Sequence, residues 1–189
     1  MTATKERFLN LCKENIKRQG IDNLLAYLEQ TDFFVAPCST KFHLNIRGGL
    51  CEHSLNVYDC LTNLCINFGI NVVDNIETIT IISLFHDLCK ANYYQQSVQN
   101  VKENGQWVQK PCFTINDQLP LGHGEKSVIL LEQFINLNID EMLAIRWHMC
   151  GFDNAVRGGD YGMNAANKMS IFVTLLQCAD MIASNIIEK

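Results

Sequence analysis

An all-α fold carrying one small inserted β-hairpin is what the sequence predicts, and three observations predict it. Apolar residues recur three and four apart in windows near 4–18, 22–30, 50–68, 76–91, 124–136, 140–150 and 164–187, the spacing of helices with one buried face. Residues 98–115 break that rhythm with two short alternating runs around Asn104-Gly105, a pair suited to a tight hairpin turn. Only three prolines interrupt the 189 residues, and no Gly/Ser-rich linker, charge block or internal repeat marks a boundary. One domain is therefore expected, with N-terminal helices over about 1–40, a core over about 43–187 and the hairpin inserted at about 98–115.

The elements differ in what their inner stripes contain. Windows 4–18 and 22–30 are ordinary amphipathic helices. The stripe of window 50–68 runs Leu50, His53, Val57, Leu61, Leu64, Phe68, so His53 occupies a place otherwise given to core residues. Window 76–91 repeats the pattern as Ile79, Ile82, His86, Cys89, with Asp87 beside the histidine and Lys90 one turn on. His123 opens a helix whose stripe continues through Ser127, Leu130, Phe134 and Leu137, and His148 lies one turn after Ala144 and Ile145. The last window reads Met169, Val173, Leu176, Asp180, Ala183, Ile187, which sets a carboxylate in an inward stripe. Gly151 to Met163 has no stripe and reads as a mobile loop, and its Gly158-Gly159-Asp160 lacks the strand context of a nucleotide-cyclase signature.

Composition narrows the function classes. Nine cysteines, an odd number without any C-x-x-C pair, in a chain this long fit a reduced intracellular protein better than a disulfide scaffold. The start Met1-Thr2-Ala3-Thr4-Lys5-Glu6-Arg7 lacks a signal-peptide run and no stretch approaches a membrane span, so a cytoplasmic location without membrane association is expected. A net charge of −5 disfavours an extended nucleic-acid groove, while a small phosphorylated ligand needs only a few local cations or a metal.

A buried carboxylate without a partner costs several kcal/mol, so Asp180 needs a cation, a dense set of hydrogen bonds or a metal. A lone inward histidine is more often a hydrogen-bonded core residue than a ligand. Several helices each aiming one imidazole or carboxylate inward make a ligand set a better account than separate coincidences, and such N/O donors suit Mn, Fe, Ni, Zn or Mg. No H-E-x-x-H, G-x-S-x-G, Walker A or G-x-G-x-x-G motif offers another chemistry, and Cys89 or Cys150 as a nucleophile would need an activating environment.

Three segments, Gly48-Gly49-Leu50-Cys51-Glu52-His53-Ser54, Phe85-His86-Asp87-Leu88-Cys89-Lys90 and Gln177-Cys178-Ala179-Asp180, resemble the HD superfamily of metal-dependent phosphohydrolases, whose hallmark is the order H…HD…D. The resemblance implies that His53, His86, Asp87 and Asp180 bind one metal and that Asp87 bridges to a second held by His123 and His148, as in binuclear phosphodiesterase branches. One or two divalent metal ions are then the expected cofactors. Cys89 stands where many relatives carry glycine, and the Gly-Gly-Leu-x-x-His start is similar to bacterial HD exoribonucleases.

The expected activity is hydrolysis of a nucleotide phosphodiester, cyclic or in a short oligonucleotide, by metal-activated hydroxide without a protein nucleophile. A nucleotidase or nucleoside-triphosphate hydrolase and a non-catalytic metal-stabilised binding module are the alternatives. Asp87, Lys90 and His43 are the expected catalytic residues, His43 as a donor to the leaving oxygen or a hydrogen-bonding partner of substrate. Lys90, Arg47, Lys126, Arg146 and Arg157 are the candidates for phosphate contact. The hairpin, with Trp107 and Phe113, is a candidate to cap the pocket, stack on a base or mediate homodimer contacts.

Overall fold

The computed structural model describes residues 2–189. Two helices, α1 (Ala3–Asn15) and α2 (Ile21–Gln30), precede the central α3 (Gly49–Asn67) and its partner α4 (Val72–Phe85). The hairpin β1 (Tyr94–Glu103) and β2 (Gln106–Ile115) follows, then α5 (His123–Glu132), α6 (Ile139–Trp147), the single turn α7 (Asn154–Arg157), α8 (Gly162–Met169) and α9 (Ile171–Ile182). The helices account for most of the chain, as the periodicity predicts. No single helix among the described residues is long and apolar enough to cross a membrane.

Packing radiates from α3, which lies against α1, α4 and α9, while α6 lies against α4, α5 and α9. Phe8 of α1 joins the two sides: its ring meets Phe33 at 5.3 Å and Phe85 at 5.6 Å, edge to face, among the fully buried Leu24, Leu50, Leu61, Ile79 and Ile82. Edge-to-face contacts match the positive rim of one ring to the negative face of the next. Helix α6 begins with a capping box in which Asn138 and Glu141 satisfy each other's backbone amides. Glu141 is wholly buried, and Arg18 grips both of its oxygens at 2.5 and 2.7 Å, fixing α6 against the turn between α1 and α2.

The hairpin forms in the register Val101↔Val108 and Glu103↔Gln106, with Asn104 and Gly105 both at positive φ (50° and 83°), as a two-residue turn of this twist requires. It begins four residues earlier than the sequence predicts. Trp107, 71% exposed, sits near the turn, while Tyr94 at the opposite end bonds through its hydroxyl to the Cys38 carbonyl at 3.1 Å. Eight residues of strand at about 3.4 Å each put Trp107 roughly 27 Å from the end that touches the body of the protein.

Three expectations are corrected. Window 164–187 is not one helix: Ser170 is extended (φ −140°, ψ 127°) and α8 meets the following helix at 109°. The break lets Ala166 and Met163 pack on Trp147 while α9 packs on α3, two surfaces that one straight helix cannot reach. Met169 and Phe68, placed on inner stripes by spacing, are exposed because each lies at a helix end where the chain turns. Gly151 to Met163 is not a loop throughout, since Asp153 caps the single turn α7 by accepting from the Ala155 amide at 2.8 Å; four residues are too few to show a stripe.

Candidate metal centre

Five histidines and two aspartates reach one place from different elements. His53 stands on α3 and is 1% exposed. Helix α4 stops at Phe85, shorter than its predicted window, so His86 closes the helix and Asp87 leaves it at φ −101°, ψ 20° before a 3₁₀ turn, Leu88–Lys90. His123 opens α5 and His148 closes α6, where chain ends can direct side chains outward from the helix axis. Asp180 projects from α9.

Asp87 is the hub. Its Oδ1 lies 2.7 Å from His123 Nε2 and 3.5 Å from His148 Nε2, and its Oδ2 lies 3.5 Å from His86 Nε2, 3.7 Å from His53 Nε2 and 2.6 Å from Lys90 Nζ. Asp180 Oδ1 is 3.3 Å from His53 Nε2. His53, His86 and Asp180 thus form one set of converging donors, and His86, Asp87 and His148 a second that shares His86 with it.

Hydrogen bonds on the far side of three of the rings set their tautomers. His86 Nδ1 donates to the Ser83 carbonyl at 2.8 Å and His148 Nδ1 to the Ile145 carbonyl at 2.7 Å. A carbonyl only accepts, so the proton sits on Nδ1 and Nε2 presents a lone pair to the centre. His53 Nδ1 meets the Glu188 carboxylate at 3.0 and 3.1 Å, which has the same effect.

Burial and close approach shift the acids and imidazoles of the cluster in different directions. Burial pulls the His86 imidazole down to about 4. Burial also opposes charge on His53, but Cys38, Asp180 and Glu188 overcome it and raise its pKa well above the ordinary value. Burial works against Asp87 as well, yet the Lys90 ammonium, the neighbouring His86 and the hydrogen bond from His123 hold it well below the usual carboxylate range. Asp180 is lowered in the same way by His53.

Two observations test whether a cation fits. His148 Nε2 is buried without any hydrogen-bond partner, and His86 Nε2 faces His53 Nε2 at 3.3 Å, two nitrogens that repel unless a proton or a metal lies between them. A divalent ion satisfies both, and imidazole with carboxylate is a donor set that Mn, Fe, Ni and Zn accept. The residues fit the group.

Of the cations expected to touch phosphate, Lys90 alone is in the cluster. Arg47 is exposed, in a groove beside Thr2, Phe34 and Glu52. Lys126 is buried against Asp117 at 2.5 Å; Arg146 is held by Glu125 at 2.6 Å and Asp153 at 2.8 Å; Arg157 lies over the Phe152 ring. His43 stacks on His53 with centroids 4.9 Å apart, and its Nε2 is 3.1 Å from the Cys38 thiol. Cys89 lies 3.4 Å from His123, and burial pushes its thiol up to about 12.

Sequence reasoning missed Cys38 and Glu188. Cys38 sits in an irregular loop without a pattern to read. Glu188 was hidden by register: the chain ends α9 in a π-turn, Ala183–Ile187, whose extra residue turns Ile187 out to 53% exposure and brings Glu188 inward.

A family model for the HD domain matches residues 50–185. The chain belongs to the HD domain family. This places it in a superfamily of metal-dependent phosphohydrolases whose domains bind divalent metals, and the matched stretch contains His53, His86, Asp87, His123, His148 and Asp180. No match was found among curated proteins or among solved structures.

Proposed function

We propose that this HD domain is a binuclear phosphodiesterase acting on a nucleotide substrate. The observation that carries the reading is the division of Asp87: one oxygen faces His123 and His148, the other His53 and His86, so a single carboxylate lies between two donor sets. In this assignment His53, His86, Asp87 and Asp180 hold one cation, and Asp87, His123 and His148 hold another. When bound, the pair supplies Lewis acidity, lowering the pKa of a water and neutralising charge on phosphoryl oxygens.

The chain's own groups do the rest. Lys90, now paired with Asp87, exchanges that contact for a phosphate oxygen, a point charge being sufficient for this role. His43, kept neutral by burial, donates one hydrogen bond to substrate. A cleft of about 200 Å³ beside His123 is walled by Met149 and Phe152 and carries Asn154, a combination of apolar face and amide suited to a base. A larger cleft of about 450 Å³ between Asn45 and the hairpin is lined by none of the six residues.

The test compares hydrolysis of bis-p-nitrophenyl phosphate and p-nitrophenyl phosphate by protein loaded with Mn or Ni, together with metal content per chain. The reading expects diester preference, about two metals per chain, and about one in His123→Ala with His148→Ala. One metal in both proteins and preference for the monoester would support a nucleotidase instead.

A further inference from the structure

Glu188 lies three residues beyond the matched segment, and yet its side chain is wholly buried against the centre. Oε1 accepts from His53 Nδ1 at 3.0 Å and from Asn56 Nδ2 at 2.9 Å, one turn along α3, and Oε2 lies 4.0 Å from His43 Nδ1. The two imidazoles are stacked 11° from parallel, so one carboxylate lies at the Nδ1 side of both. Burying a carboxylate without compensation is costly, and this one is compensated by His53, Asn56 and the nearby His43.

We infer that Glu188 is a positioning residue of the metal centre, fixing His53 as the Nδ1–H tautomer with Nε2 aimed at the cation and steadying His43 for substrate. The inference rests on the metal centre proposed above. Among the proposed ligands whose Nδ1 is fixed, His86 and His148 are held by backbone carbonyls that no substitution removes, whereas His53 depends on a side chain. A carboxylate behind an imidazole also makes the opposite nitrogen a stronger donor than a carbonyl does. The π-turn delivers this group, which gives the irregular end of α9 a task.

The experiment measures Mn affinity by calorimetry on the full chain and on Glu188→Gln and Glu188→Ala. It adds the proton spectrum of the zinc-loaded proteins, where a hydrogen-bonded His53 Nδ1 proton exchanges slowly. Glu188→Ala is expected to lose about 10- to 100-fold in affinity for one cation and to lose the protected proton. Glu188→Gln still accepts the bond and is expected to keep the proton with a smaller loss of affinity, which separates positioning from mere stability. Wild-type affinity in both variants, with the proton retained in Glu188→Ala, overturns the inference. Failure of the wild type to bind any metal instead overturns the metal centre itself.

Discussion

Gly124 offers a sharp test of how closely the second donor pair is held. A Cβ built there lies 2.2 Å from the Arg146 carbonyl oxygen and 2.7 Å from its carbon, both backbone atoms that no rotamer change removes. Reaching ordinary contact at about 3.4 Å requires α5 and α6 to separate by roughly 1 Å. Gly124→Ala gains about 0.5–1 kcal/mol of helix propensity, but overpacking against backbone costs about 1–3 kcal/mol and wins. At roughly 2–4 °C per kcal/mol for a chain of this size, the metal-free protein should melt several degrees lower. His123 is the residue before Gly124 and His148 lies just past Arg146, so the same movement pulls the two imidazoles apart. Thermal melting and metal titration together read the outcome: the lost stability should come with a weakened second cation while the first is kept. A variant that melts and binds both cations like the wild type refutes the close approach of these helices.

Other expectations arise from the same geometry. Removing metal with a chelator should lower stability by about 2.7 kcal/mol when the ion had been present at a hundred times its dissociation constant, and an unchanged melting curve would oppose a cation at this site. Because the pKa values of His53 and His148 are raised above the ordinary imidazole value, protons compete with the cation, and affinity should keep climbing as pH rises beyond the range where a free imidazole has already lost its proton; a profile flat there in titration calorimetry would count against these two ligands. Arg18→Ala leaves Glu141 buried without its cation and should cost close to 3 kcal/mol in urea unfolding, the lower end for a buried pair because Arg18 is partly exposed; a loss under about 1 kcal/mol would refute that role. With a thiol reagent, Cys178 should react first and Cys112 and Cys150 more slowly. Cys51 and Cys89, raised to about 12 by burial, should stay silent until the chain unfolds.

Sequence reading succeeded where a side chain's direction is set by helical period. His53 and His86 take places in apolar stripes, and Asp180 was conspicuous as a charge among them; all three meet in the structure. The Asn104-Gly105 turn was legible because few dipeptides tolerate two positive φ values in succession. Reading failed where geometry departs from that period. The extended Ser170 and the π-turn at Ala183–Ile187 each shift the register of the chain around them, which exposed Met169 and Ile187 and concealed Glu188. Neighbouring charge was also invisible from sequence: nothing in spacing shows that Lys126 and Arg146 already have carboxylate partners while Lys90 lies against Asp87.

The donors of the centre are scattered from His53 to Asp180, and the carboxylate behind His53 comes eight residues later still. A ribosome therefore delivers imidazoles long before it delivers Asp180, and the nascent chain passes through a stage rich in unpaired nitrogen donors. His53 and Asp180 come within 3.3 Å of each other only when α9 docks on α3. A cation held by His53 and Asp180 together would therefore bind the folded chain and not a partly made one.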